Sequence, residues 1–278
     1  MEYWRLGLED KVHKIVKLNA LDLRRKILNE ARYGEEKRLL KYGFKGYSQN
    51  DEDGIIEEIF RRVGVANKTF VEIGVGNGLE NNTLYLLAQG WQGFWIEGNS
   101  KYVEQIKQKF NYALKNQILE VQHAFVEKDN VNQLIRKWQT DSGDLDLLSL
   151  DIDGNDYHIL EAMEPLNARV VVVEYNPKFR PPVKWVMKYN STHRPSFILS
   201  DYFGGSLKSF EILLLAKGYK LVGCSLSGIN AFFVREDLVK NHFLDDYSAE
   251  NHYEPERHIL SEGLAPHHFP DFGPFEIK

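Results

Sequence analysis

A chain of 278 residues with 43% hydrophobic side chains can bury a sizeable core, and its net charge of −5 gives no footing for nucleic acid. One cysteine, Cys224, excludes an intrachain disulfide and a cysteine metal cluster. No apolar run approaches the ~20 residues of a membrane span, and the charged start MEYWRLGLEDKV lacks the apolar stretch of a signal peptide. The expected setting is therefore reducing and cytoplasmic.

Residues 1–45 read as a helical extension. Leu8, Val12, Ile15 and Val16 recur at helical spacing, and Leu21, Leu23, Ile27, Leu28, Ala31, Leu39 and Leu40 follow less regularly. The segment carries 12 Lys/Arg against 7 Asp/Glu. Such a basic extension can touch an anionic substrate, a membrane surface or a second copy of the chain; a solvated helix face is the plainer reading. A homo-oligomer through these helices is one expectation.

The polar turn YSQNDEDG leads into an amphipathic helix over 55–63. Asp51, Glu52 and Asp53 stand where acids favour a helix N-terminus. Gln49 has no such role and is a candidate ligand contact.

Next comes TFVEIGVGNG, residues 69–78, around which the chain is organised. A short apolar strand enters a glycine turn, and a helix over 80–89 is expected to follow. Glycines let the backbone turn tightly and approach a ligand that a Cβ would block. The dinucleotide fingerprint needs a third glycine opening the helix, where this chain has Leu79. The spacing E-x-G-x-G-x-G instead resembles the first motif of class I S-adenosylmethionine (SAM)-dependent methyltransferases.

The chain then alternates. Strands are expected at 93–96, 118–125, 145–150 and 169–173, with helices at 101–114, 130–138 and 156–163 between them. Apolar strands separated by helices imply a parallel sheet covered on both faces. Residues 175–204 break the rhythm and read as a functional loop, with Arg180, Trp185, Tyr189 and Arg194 as acceptor contacts. A helix at 206–217 and strands at 219–224 and 229–235 follow. The short SLSG connection between those two strands makes them antiparallel. The expected organisation is a 1–45 extension, a catalytic domain at 46–240 and a 241–278 tail. The tail holds five of the nine histidines, and His252, His258, His267 and His268 show no metal-ligand spacing.

Ligands of an open parallel sheet bind beyond the carboxyl ends of its strands. Glu97, 19 residues beyond Gly78, ends the second strand and suits the two hydroxyls of a ribose. Phe125 can pack on an adenine. Asp151, Asp153 and Asp156 lie at the mouth of one buried strand, with Glu174 at the end of the next. Carboxylates so crowded repel unless something positive joins them: a divalent cation such as Mg²⁺, or the donor sulfonium. Asn176 could add a carbonyl ligand. Asp153 and Asp156 can also cap the following helix, the reading preferred for Asp156. Asp151 is the candidate catalytic base, and His158 a second one or a plain helix histidine.

Taken together, YSQNDEDGI, FVEIGVGNG, LLSLDIDGNDY, VVVEYN and GGSLKSFEILLLAKGYKLVGCSLSGINAFFVR resemble FkbM-type SAM-dependent methyltransferases, from about residue 47 to 238. The resemblance implies a three-layer α/β fold, with a mostly parallel seven-stranded sheet ending in an antiparallel hairpin. It implies O-methylation of a sugar hydroxyl in a small-molecule or glycan acceptor (a nucleotide-sugar, polysaccharide or glycolipid precursor), SAM contacts at Glu72, Gly74, Gly76 and Glu97, and catalysis near Asp151. The cofactor set read from the turn and strand ends adds Gln49, Asn77, Gly78, Phe125 and Asp151. Asp151, Asp153 and Glu174 form the candidate metal set. Where many members have Asp-x-Glu-Gly, this chain has Asp151-Ile152-Asp153-Gly154, a shortened second acid. A nicotinamide oxidoreductase on a related fold and a non-catalytic SAM-binding module are the alternatives.

Overall fold

A computed structural model describes residues 2–138, 145–193, 201–257, 260 and 275–276. The strands are β1 (Thr69–Ile73), β2 (Gln92–Glu97), β3 (Leu119–His123), β4 (Leu147–Leu150), β5 (Val170–Glu174), β6 (Val186–Met187), β7 (Tyr219–Cys224), β8 (Asn230–Arg235) and β9 (Phe275–Glu276). Seven of them form one sheet in the order β3-β2-β1-β4-β5-β8-β7. Strands β1 to β5 pair in parallel, and β8 runs antiparallel to both β5 and β7. This is the mixed α/β sheet with a reversed strand that the hairpin predicted.

The pattern of burial explains the sheet. Val170 and Val172 enter one core while Val171 and Val173 enter the other, as alternate residues of a strand covered on both faces must. All four are fully buried.

The helices are α1 (Glu2–Leu28), α2 (Glu52–Val63), α3 (Leu84–Ala88), α4 (Ser100–Lys109), α5 (Asn111–Lys115), α6 (Val131–Ile135), α7 (Asp156–Ala162), α8 (Leu207–Ala216), α9 (Glu236–Val239) and α10 (Ala249–His252). Two differ from the periodicity. The extension is helical only to Leu28, and Leu39 and Leu40 are buried by the short turns that follow. The helix expected from residue 80 begins at Leu84, because Asn81, Asn82 and Thr83 are drawn into side-chain bonds. Asn81 Oδ1 accepts the amides of Thr83 and Leu84, and Asn82 N donates to Glu72. Such bonds compete with helical ones.

The acids of the polar turn do more than favour a helix dipole. Asp53 Oδ2 accepts the amides of Gly46, Tyr47 and Ser48 at 2.6–2.8 Å, tying the loop into a knot ahead of α2. Asp51 reaches across the sheet edge to the amide of Leu226.

The segments flanking the sheet also pack together. Phe243, Ala249, His252 and Glu254 are buried, and Tyr33 Oη donates to Glu254 Oε2 at 2.8 Å. Strand β9 pairs antiparallel with β6 inside the loop that was expected to be irregular. Arg194, His258, His267 and His268 lie outside the described residues.

Candidate active site

A cleft of about 900 Å³ opens beyond the carboxyl ends of β1, β2, β4 and β5. Gln49, Glu72, Gly74, Gly76, Asn77, Glu97, Phe125, Asp151, Asp153 and Glu174 all line it. Residues drawn from six stretches of sequence thus share one cavity. Gly78 and His158 do not line it.

The three glycines of the turn answer to three causes. All have positive φ, +86°, +54° and +78° in order. A Cβ on Gly74 would stand 1.7 Å from the carbonyl oxygen of Asp151, so protein backbone, not ligand, demands that glycine. A Cβ on Gly76 would meet nothing within 4 Å, so this position faces open space at the cleft wall. A Cβ on Gly78 would strike Trp95 and Phe110. Gly78, read from sequence as a ligand contact, is instead placed against the aromatic packing under the turn.

Glu97 bridges the turn and β2. Its Oε2 accepts the amide of Gly76 at 2.8 Å and its Oε1 the amide of Asn99 at 2.7 Å. The amides of Val75 and Gly98 also bear on this carboxylate, which lines the cleft at the end of β2. Burial raises the Glu97 pKa, and these amides work the other way.

Glu72 is more deeply committed. It accepts Asn82 N at 2.9 Å and Thr83 Oγ1 at 2.5 Å, and Trp95 Nε1 donates to that same hydroxyl at 2.8 Å. Burial pushes Glu72 up to about 7. It organises the loop that carries Asn81 to the cleft. Asn81 is 7% exposed and its Nδ2 has no partner there.

Across the cleft stands the acid turn. Asp156 folds back to accept the amides of Ile152 and Gly154, both at 2.8 Å, and so shapes the turn. Asp151 and Glu174 are hydrogen-bonded to each other. Both are held well above the usual carboxylate range, first by burial and then by neighbouring negative charge. One ligand oxygen each from Asp151, Asp153 and Glu174 lies within 4.8 Å of the others.

The loop after β5 is pinned onto this turn. Asn155 Nδ2 donates to Asn190 O at 2.8 Å, and Asn190 N donates back to Asn155 Oδ1. His193 follows, lining the cleft and donating Nε2–H to Asp153 O at 2.9 Å. A Cβ on Gly154 would collide with its ring at 2.3 Å, so Gly154 makes room for His193. Sequence reasoning overlooked His193, Asn155, Asn81 and Asn230. For His193 the only signal was the odd composition of its loop.

Several expected contacts lie elsewhere. His158 donates Nε2–H to Met187 O at 2.7 Å and is 5% exposed, a packed histidine holding β6. Trp185 is buried and stacked on Phe179 at 4.2 Å. Tyr189 packs its edge on His158, and Lys128 stands over its ring. Arg180 lines a separate small groove with Arg32 and Tyr253. Asn176 Nδ2 donates to Asp201 O and Phe203 O, and its Oδ1, the expected carbonyl ligand, already accepts the amide of Lys178 at 3.1 Å.

No protein-family model matches this chain, and no curated protein matches its sequence. Among solved structures, a SAM-dependent methyltransferase from Clostridium acetobutylicum aligns over 69% of this chain and 92% of its own, with 12% identity and a TM-score of 0.41. The CcbJ methyltransferase from Streptomyces caelestis aligns over 72% and 96%, with 11% identity and a TM-score of 0.40. An O-methyltransferase from Bacillus cereus, in complex with S-adenosylhomocysteine (SAH), aligns over 78% and 88%, with 14% identity and a TM-score of 0.40. At these values the likenesses carry no argument about chemistry.

Proposed function

We propose that this chain is a SAM-dependent O-methyltransferase of FkbM type that acts on a sugar hydroxyl. The observation that carries the reading is the join between Glu97 and the amide of Gly76. It sets a diol-binding carboxylate beside a glycine turn whose second glycine opens onto the cleft. Gln49, Asn77 and Phe125 line the same cavity and suit the rest of a nucleoside-bearing donor.

The acceptor faces the acid turn. Glu72, Glu80, Glu97, Asp151, Asp153 and Glu174 line the cleft, and its described lining holds no lysine or arginine. Negative charge this dense repels a phosphate and accepts hydroxyl donors. The reading therefore favours an uncharged polyol portion inside the cleft, in a small molecule or a glycan.

With SAM bound, the hydroxyl oxygen would take the methyl group, the carbon–sulfur bond would break with its electron pair left on sulfur, and Asp151 would take the hydroxyl proton. Raising a carboxylate's pKa brings it nearer the range a base needs at neutral pH. The remaining task is alignment, worth several kcal/mol when the reacting atoms are held in place. A divalent cation on Asp151, Asp153 and Glu174 would supply orientation and acidification of the hydroxyl.

This reading places the enzyme in the cytoplasm, with catalysis confined to residues 46–240 and any self-association through α1. Among the described residues no helix is long and apolar enough to cross a membrane. Calorimetry with SAM and SAH tests the reading: micromolar binding of SAH is expected, and absence of binding by both would overturn it. Tight nicotinamide binding in the same assay would favour an oxidoreductase instead.

A further inference from the structure

We propose that the groove between Arg32, Arg180 and Tyr253 binds a phosphate group, and that it holds the charged part of the acceptor outside the acidic cleft. The groove encloses about 350 Å³ and is lined by these three residues with Pro181, Glu250 and Pro255. None of the six lines the cleft.

The groove carries an unmatched cation. Arg180 is exposed, and its guanidinium has no carboxylate partner among the described residues. Tyr253 Oη donates to Pro177 O at 2.7 Å, which fixes the ring. Burial raises the Tyr253 pKa, and Arg180, beside the hydroxyl, opposes it. On the other wall, Arg32 Nη2 is spent on Asn251 O, Tyr253 O and Glu254 Oε1. Those bonds hold the Arg32 guanidinium in place, and its other nitrogens have no partner among the described residues. Glu250 is the acid of the described lining, and Lys208 Nζ stands 3.0 Å from it. A guanidinium is planar and permanently charged, and it pairs two N–H groups with two oxygens of a phosphate. The Tyr253 ring and the two prolines add apolar surface beside it.

A short stretch of chain joins the groove to the cleft. Glu174 lines the cleft, and Pro177, three residues on, carries the carbonyl that anchors Tyr253. At about 3.8 Å per step, their α-carbons lie no more than about 11 Å apart. One elongated acceptor can reach both. The cleft, with its carboxylates and without lysine or arginine in its described lining, repels a phosphate. The groove supplies the counter-charge that the cleft lacks. The acceptor class becomes a sugar that bears a phosphate or diphosphate. That acceptor role rests on the methyl-transfer reading; phosphate binding does not.

The test is calorimetry of the full chain with inorganic pyrophosphate, with and without saturating SAH. One pyrophosphate per chain is expected, at the same affinity in both conditions. Arg180→Ala should weaken it about tenfold or more, the worth of a lost charge-assisted pair. Arg180 is exposed and makes no ion pair among the described residues, so this variant keeps the fold. Arg25→Ala, which removes an exposed arginine of α1 paired with Asp22, should leave the affinity within about twofold. No saturable binding, binding unchanged in Arg180→Ala, or displacement of pyrophosphate by SAH overturns the groove. A second titration, with UDP, names the source of the phosphate. Affinity well above that of pyrophosphate assigns it to a nucleotide whose base packs on Tyr253, and equal affinity to a phosphate without a base. SAH binding with no pyrophosphate binding removes the groove alone, whereas pyrophosphate binding with no SAH binding removes the donor reading alone.

Discussion

The α-carbon of Gly74 lies so close to the carbonyl of Asp151 that a Cβ there would stand 1.7 Å from its oxygen. The glycine turn and the acid turn are thus one packed unit, and each fixes the other's position. Gly74→Ala must push β1 and β4 apart at their carboxyl ends. We expect a loss above 4 kcal/mol or an insoluble protein, read by urea unfolding. Gly76→Ala has open space around it and adds only the cost of a left-handed alanine, about 1–2 kcal/mol. It should fold, and its Cβ should weaken SAH binding about tenfold or more in calorimetry. Equal stability losses in the two variants would contradict this division.

Glu97 should matter to the ligand more than to the fold. In Glu97→Gln one side-chain oxygen becomes an amide NH₂ facing the backbone donors of Gly76 or Asn99. Loss of one charge-assisted bond is worth about 1.5–3 kcal/mol, which corresponds to tenfold to a hundredfold weaker SAH binding. An affinity within threefold of the wild type would remove Glu97 from the ribose site.

His158 gives the opposite expectation. Its ring is spent on Met187 O, away from the cleft. His158→Ala should lower stability by about 1–3 kcal/mol through the unsatisfied carbonyl and the lost packing. SAH affinity should stay within threefold, and a larger fall would return the histidine to the site.

Stability should fall as pH rises through neutrality. Glu72 and Asp51 are each pushed up to about 7, first by burial. An acid with a raised folded-state pKa holds its proton more tightly in the folded chain. That stabilisation is complete below its ordinary value and is lost as pH rises toward 7. At about 1.4 kcal/mol per pH unit, Glu72 alone removes roughly 3 kcal/mol over this range. His252 is pushed down to about 4 by burial, so it opposes the trend between pH 4 and 6.5, where stability falls on acidification. Above pH 6.5 only the acids act. Thermal melting should therefore show Tm dropping from pH 6.5 to 7.5, with a smaller drop in Glu72→Gln. A flat or rising Tm would refute it.

The sheet was legible because burial on two faces writes itself as apolar runs such as LDLLSL and VVVVE, and a four-residue connection forces an antiparallel pair. The place of Glu97 at the cleft was legible because a strand end is a fixed address. Gly78 misled because sequence spacing cannot separate a glycine that yields to a ligand from one that yields to Trp95 and Phe110. The start of α3 was misplaced because Asn81, Asn82 and Thr83 look compatible with a helix until Glu72, ten and eleven residues earlier, claims Asn82 and Thr83 and the Asn81 side chain caps the turn. His193 was invisible for a similar reason. Its position depends on the Asn155–Asn190 pairing across 35 residues, which no local pattern records.

Tyr33 and Glu254 close the chain on itself across 221 residues, joined there by Arg32 and Arg257 on Glu254 and by Arg38 on Asn251. On the ribosome this bond has a price in time. At roughly 5–20 residues per second, the segment around Tyr33 waits about ten to forty seconds for its partner to be synthesised. Through that interval the apolar residues Leu39 and Leu40 have only an incomplete sheet to cover them. The nascent chain is therefore most vulnerable at its oldest end, and chaperone capture during synthesis should fall there.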